Sequence, residues 1–319
     1  MRKCPVTDYT ALNFASGGAD PSGSAPFVFH EVLMEPARAG AFAALTAFLC
    51  WGVFGIYFHA LGAVPAAEVL AHRIIGGALF ALLFQSAWGR LAEIRVALTD
   101  TKVLRGLLGS SVAIAVNWGV FIWATANGRA LEASLGYFIF PLISVVLARV
   151  VLGERLSRRQ GVAVALAALG VGWLVAVGTG LPWVALVLAV SFGAYGLLRK
   201  TIVVGAMAGL FVEAVVLVPL ALGYLLWSGG GVVVHDATPQ VIALIAVAGP
   251  LTAIPLALFA YGARRLRLST LGLMMYINPT VQMLVAVFLF GEAFTQAHMV
   301  AFAAIWCGLC LYSWPSRRL

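Results

Sequence analysis

The chain has 319 residues, 62% of them hydrophobic and only 10% charged, with a formal net charge of +8 and a mean hydropathy of +1.01. Soluble domains carry about 25% charged residues, so this composition cannot cover a water-facing surface and points to lipid as the solvent. The positive balance does not point to nucleic acid, because the basic residues recur between apolar stretches and form no single patch.

Residues 1–38 differ from the rest, with the run ASGGADPSGSAP rich in Ser, Gly and Pro. Such a segment cannot bury a core and is expected to be disordered. FVF is too short for the apolar region of a signal peptide. Met34 leads into a short basic stretch before the first apolar run, and is expected to be the native start, with 1–33 an extension.

A helix crossing a bilayer needs about 20 apolar residues. Residues 39–314 have room for ten: 39–60, 65–86, 104–126, 130–152, 160–178, 182–199, 206–227, 239–262, 268–290 and 296–314. With the N-terminus placed in the cytoplasm, 17 of the 20 Lys and Arg residues fall in inside segments, Arg129 alone falls outside, and Arg73 and Arg149 lie within spans. That bias fixes orientation, with both ends inside. Cys4, Cys50, Cys307 and Cys310 imply no disulfide framework, and the Cys307–Cys310 spacing reads as small packing residues in a helix. No metal site or cofactor motif is apparent.

The chain repeats itself. GYFIFPLISVVLARVVLGERLS at 136–157 matches MMYINPTVQMLVAVFLFGEAFT at 274–295, and a shift of 138 brings Pro141 onto Pro279, Gly153 onto Gly291 and Glu154 onto Glu292. A repeat of five spans is odd, so the second copy enters the membrane from the opposite side. The charges agree: GERLSRRQ carries three Arg and is assigned inside, whereas GEAFTQAH carries none and is assigned outside. The expected fold is therefore an all-α integral membrane protein, with ten transmembrane helices in two inverted five-helix repeats at 39–178 and 179–314, and a cytoplasmic tail at 315–319. Inverted repeats are typical of secondary transporters, whose halves rock around a midplane site.

The strings AFLCWGVFGIYFHALGAVPAAEVLAHRI, NWGVFIWATANGRALEASLGYFIFPLISVVL and RRLRLSTLGLMMYINPTVQMLVAVFLFGE resemble RarD-like permeases of the EamA-domain drug/metabolite transporter superfamily. The resemblance covers about 39–314. It implies ten helices in two EamA repeats, cytoplasmic termini, a bacterial inner-membrane location and transport of small organic solutes, with a label tied to chloramphenicol sensitivity. One departure is that the family's helix-4 Asn-Pro is Phe140-Pro141 here, while helix 9 keeps Asn278-Pro279.

Charged groups inside spans are costly and default to functional candidates. Helix 2 holds Glu68, His72 and Arg73. Glu68 and His72 share a face at i, i+4, suited to binding a zwitterionic or anionic solute or to carrying a proton, with a self-satisfied ion cluster as the alternative. Helix 7 contributes Glu213, which falls opposite His72 at a shift of 141. The pair is a candidate proton-coupling site, the alternative being Glu213 neutralised by Arg73, Arg199 or Lys200. Pro141 and Pro279 are candidate helix breakers that free the carbonyls of Tyr137 and Met275. Tyr276, Asn278 and Gln282 stand nearby, and helix 3 adds Asn117 and Trp118. Trp51 is a stacking candidate, whereas Trp123 and Trp183 read as interfacial belt residues. Glu154 and Glu292 read as caps or hinge pairs.

The function these features support is secondary transport of small organic solutes, drugs or metabolites, with alternating access and proton coupling. Its partners are the lipid bilayer, a small-molecule substrate and protons, and its assembly is a monomer or homodimer. An intramembrane enzyme would need a motif such as HExxH, which is absent from the sequence. A membrane-embedded sensor or scaffold without transport activity is the alternative; it usually carries a sizeable soluble domain. Inverted halves make a sided prediction. A cysteine at position 158 will react with an impermeant maleimide only from the cytoplasm, and one at 236 only from outside; labelling of both from one side overturns the topology.

Overall fold

The computed structural model of the chain describes residues 36–153, 157–177, 180–235, 237–263, 265–266 and 274–313. The N-terminal segment up to residue 35, Glu154, Asp236, Arg267 and the tail from 314 lie outside the described residues, with the expectations attached to them. All regular structure among the described residues is helical.

Helix α1 (Pro36–Gly52) resumes after Val53 as α2 (Phe54–Ala60), followed by α3 (Ala66–Ala87), α4 (Leu91–Thr99), α5 (Thr101–Ala126) and α6 (Ala130–Leu152). Next come α7 (Arg158–Ala176), α8 (Trp183–Thr201), α9 (Ala206–Trp227), the short α10 (Gly231–His235), α11 (Pro239–Ala246) and α12 (Ala248–Ala263). The chain closes with α13 (Ile277–Leu284), which widens into a π-turn over Val285–Leu289, and α14 (Gln296–Ser313). Eight helices among the described residues are long and apolar enough to cross a membrane, and Trp183–Arg199 and Ile277–Leu289 are shorter apolar helices. Their outward surface is what lipid requires: Leu220 is 73% exposed and Phe288 81% exposed.

Helix α4 falls where the sequence reading put a plain connection. Ile94 and Ala97 are buried, while Leu91, Arg95 and Val96 are exposed, so it is a short amphipathic helix that lacks the apolar length of a span. It ends at Asp100, whose Oδ1 accepts the N–H groups of Lys102 (2.8 Å) and Val103 (3.1 Å) and starts α5. An Asp at this position satisfies donors that an α-helix leaves unpaired.

The strongest packing is α3 on α9, α6 on α8 and α7 on α14, followed by α5 on α8 and α1 on α12; α12 on α3, α1 on α13, α13 on α6 and α5 on α9 complete the bundle. Close approach relies on small residues, as in lipid-embedded interfaces generally. At the α7–α14 seam, a Cβ on Gly170 would lie 2.8 Å from the Ala301 carbonyl oxygen, and one on Gly308 would lie 2.8 Å from that of Ala163. Gly153 and Gly291 end their helical stretches with φ of +68° and +69°, a conformation that penalises any side chain.

At one end of the bundle, carboxylates from one part of the chain hold backbone donors of another. The Val233 N–H donates to Glu68 (2.8 Å) and the Val184 N–H to Glu132 (2.9 Å). The N–H groups of Ala130 and Leu131, at the start of α6, donate to the two oxygens of Glu292 at 2.7 and 2.8 Å. Glu292 thus caps a helix 162 residues away in sequence, and the favourable helix dipole adds to the hydrogen bonds. Cys307 and Cys310 are both exposed on α14 and do not pack inside the bundle.

The seam gives a stability prediction. Gly170→Leu or Gly308→Leu will lower thermal stability in detergent by about 1–3 kcal/mol, the usual cost of overpacking. Gly172→Leu, with open space around it, will leave the melting temperature near wild type.

Candidate functional site

Within the bundle lies a cavity of about 210 Å³, bordered by residues of α1, α2, α3, α5, α6, α8, α9, α12 and α13 together with the turn before α13. That exceeds the roughly 150 Å³ of an engineered cavity that takes up benzene. No described residue of α7 or α14 lines it.

Half of the lining residues are aromatic. Phe48, Trp51 and Phe259 form a cluster with centroids 5.6–5.9 Å apart, joining α1 to α12. Tyr137 meets Phe121 edge-on at 5.8 Å and Phe192 at 5.8 Å. These residues pack as they do because edge-to-face rings fill space between helices while keeping favourable quadrupole contacts.

Arg73 enters this aromatic wall from α3 and is only 5% exposed. Its Nε donates to Thr252 Oγ1 at 2.9 Å, and its guanidinium lies over the Trp118 ring at 4.1 Å and near Phe58 at 5.3 Å. None of the four ion pairs among the described residues includes it. Thr252 is fixed in turn by donating to the Ala248 carbonyl (2.8 Å). A cation at the centre of a span costs about 2.5–3.5 kcal/mol on insertion scales, and a desolvated ring contact returns about 2 kcal/mol.

Asn117 is fully buried and engaged at both ends: Nδ2 donates to the Leu188 carbonyl (3.1 Å) and Ser191 (3.2 Å), and Oδ1 accepts from the Tyr137 hydroxyl (2.9 Å). It ties α5, α6 and α8 together beside the cavity. Gln282 donates through Nε2 to Asn278 Oδ1 at 2.9 Å and reaches the Trp51 carbonyl at 3.5 Å. Its own Oε1 is buried without a hydrogen-bond partner among the described residues. An unsatisfied buried acceptor is costly, and here it belongs to a cavity-lining side chain.

The two prolines differ. Helix α6 runs continuously through Pro141, so the bond lost there does not end the helix. On the other side, the chain turns at Met275 and Tyr276, and Pro279 sits in the first turn of α13, where its missing N–H costs little.

Of the residues singled out in the sequence, Trp51, Arg73, Asn117, Trp118, Tyr137, Tyr276, Asn278 and Gln282, with Pro141 and Pro279, border the cavity. Glu68, His72 and Glu213 do not. Glu68 holds the Val233 N–H. His72 Nε2 lies 4.0 Å from Glu68 Oε1 and is buried without a hydrogen-bond partner among the described residues. Glu213 accepts from Ser110 (2.6 Å) and from Tyr195 (3.4 Å), with Arg199 3.7 Å away. No hydrogen bond or ion pair among the described residues joins His72 to Glu213; the two sit in different clusters. Tyr195 lines the cavity, so Glu213 stands one residue behind its wall. Trp123 and Trp183 pack together at 5.3 Å with Arg129 over both rings, away from the cavity. Sequence reasoning missed Thr252, Tyr195 and Phe259. Thr252 was visible as a lone hydroxyl in the apolar run GPLTAIPLALFA; the two aromatics gave no signal among many others.

Comparison with known proteins agrees with this architecture. The EamA-like transporter family matches residues 38–176. An uncharacterized transporter of Pseudomonas aeruginosa is 43% identical over 88% of this chain and 95% of its own length. Protein RarD of Escherichia coli is 41% identical over 86% of this chain and 94% of its own, and the chloramphenicol-sensitive protein RarD of P. aeruginosa is 33% identical over 82% and 89%. One solved crystal structure shares the fold, with a TM-score of 0.58 at 22% identity over 89% of this chain and 99% of that one. With relatives this similar along nearly their whole length, the chain is a multi-pass membrane transporter and belongs to the RarD-like permeases of the EamA family.

Proposed function

We propose that the chain is a secondary transporter of small organic solutes that works by alternating access, with ten spans in two inverted five-helix halves and both termini in the cytoplasm. Counting α1–α2 and α11–α12 as one span each, and omitting α4 and α10, gives ten in order. The observation that carries the reading is the helix pairing. Exchanging each span with the one five places on turns α6–α8 into α1–α13, α5–α8 into α1–α12 and α3–α12 into α5–α9, all of them contacts of the bundle. The pairs α3–α9, α7–α14 and α6–α13 map onto themselves. The Gly170–Ala301 and Gly308–Ala163 contacts are each other's images at the 138-residue shift of the repeat. A cavity between such halves, lined by rings and a few polar groups, suits an organic solute at a midplane site.

Proton coupling is assigned to His72 and Glu213. His72 Nε2 lacks a hydrogen-bond partner among the described residues. Glu213 is 2% exposed and reaches the cavity wall through Tyr195. Each belongs to its own cluster, so the two groups act on separate steps. On this reading the bonds of Glu68, Glu132 and Glu292 lie at the outer end and close it. Each joins one half to the other and must open for the cavity to face outward. Charge-assisted bonds of this type contribute about 1.5–3 kcal/mol each.

The test is uptake into proteoliposomes of a metabolite panel, with and without a pH gradient. Gradient-driven accumulation of at least one solute is expected, with Glu213→Gln and His72→Ala abolishing it at normal expression; absence of any uptake favours a sensor or scaffold. In a separate measurement, the double variant Glu68→Ala, Glu292→Ala will raise the reactivity of a cysteine at position 121, in the cavity wall, toward an impermeant thiol reagent added outside, by several-fold. Unchanged reactivity removes the closing role.

A further inference from the structure

Resting on the transporter reading, the geometry points to a narrower substrate class: an organic monoanion, a carboxylate on a flat apolar body, with a hydrogen-bond donor elsewhere on the molecule. Arg73 is the only formally charged residue among the described residues lining the cavity. Its bond to Thr252 uses Nε alone and is its only hydrogen bond among the described residues, which leaves the fork of terminal nitrogens for a ligand. A guanidinium presents that fork bidentately to a carboxylate, and in a dry site the pair strengthens. Trp118 already covers one face of the guanidinium, so the anion approaches in the plane of the fork, where the bidentate bonds form.

The rest of the cavity tells what accompanies the charge. Rings of Phe48, Trp51, Phe121 and Phe259 offer apolar faces. The Gln282 Oε1 is an acceptor with Nε2 committed to Asn278, so it asks for a donor from the solute. A permanently cationic solute meets the opposite situation. No carboxylate lies among the described lining residues, and Glu213 is already shared by Ser110, Tyr195 and Arg199. A second positive charge next to Arg73 would be repelled at low dielectric. A zwitterion gains the Arg73 contact but must strip water from an ammonium against one neutral carbonyl.

The experiment uses four probes of one shape: phenylpropionate, phenylpropanol, phenylpropylamine and phenylalanine. Their effect on the thermal unfolding of the purified full chain in detergent gives apparent affinities, and their radiolabelled forms give uptake into proteoliposomes. Phenylpropionate is expected to bind about tenfold or more tightly than the alcohol or the zwitterion, the amine not measurably, and a para-hydroxyl on phenylpropionate to tighten it further. Arg73→Gln is expected to erase the preference for the acid while leaving the response to the alcohol, and Gln282→Leu to erase only the gain from the para-hydroxyl. If Arg73→Gln fails to fold, the wild-type ranking still decides. Equal or tighter binding of the amine or the alcohol, or no binding of the acid, overturns the inference. Binding of the acid without its uptake upholds the charge preference and counts against transport; uptake of the alcohol or amine without binding of the acid does the reverse.

Discussion

In a hydrocarbon solvent every backbone donor and every side-chain polar group must find its partner inside the protein, because there is no water to supply one. The described residues meet that constraint with few groups. Asp100 satisfies the start of α5 locally. Glu292 satisfies the start of α6 from a remote part of the chain, and Glu132 does the same for α8. Serines and threonines return their hydroxyls to carbonyls a turn earlier, as Ser111 and Thr125 do. Against this background the exceptions are informative. Among the described residues His72 Nε2, Arg199 Nη1 and the Gln282 carbonyl oxygen lack hydrogen-bond partners, and Arg73 has only Thr252. Of these four, Gln282 and Arg73 border the cavity.

The second constraint is packing. Lipid tails are as apolar as the helices, so burial of apolar surface does not drive helices together as it does in water. Close van der Waals contact must do it, and contact needs small residues. Gly76 approaches the Gly249 backbone between α3 and α12, and Gly40 meets Gly262 between α1 and α12. The aromatic residues fill what remains around the cavity. The division is consistent: small residues where helices touch, rings where they part.

The eight long spans were legible because an apolar window of about 20 residues seldom serves anything but a bilayer crossing, and basic residues marked the connections assigned to the cytoplasm. Helix α4 was not, because nine residues with Glu93 and Arg95 among them read as a charged connection. The cavity residues on α3, α5 and α13 were legible as polar or aromatic groups where lipid forbids them. Their partners were not: which carbonyl Asn117 would find, or that Arg199 would be the residue beside Glu213 from among three candidates, depends on how helices rotate against one another. Periodicity fixes which residues share a helix face, but not what that face meets. The i, i+4 pairings that stay within one helix, Asn278 with Gln282 and Glu68 with His72, were for that reason the readable ones.

The seam between α7 and α14 lies away from the cavity, which no described residue of either helix borders. Here cohesion is carried by two helices that take no part in the cavity wall, whereas α3, α6, α8 and α9 both pack tightly and line it. A change of ring in the wall reshapes the cavity and leaves the glycine-to-carbonyl contacts of the seam intact. The outer pair of helices is thereby insulated from variation in the wall, whereas Asn117, which fastens α5, α6 and α8 beside the cavity, is not.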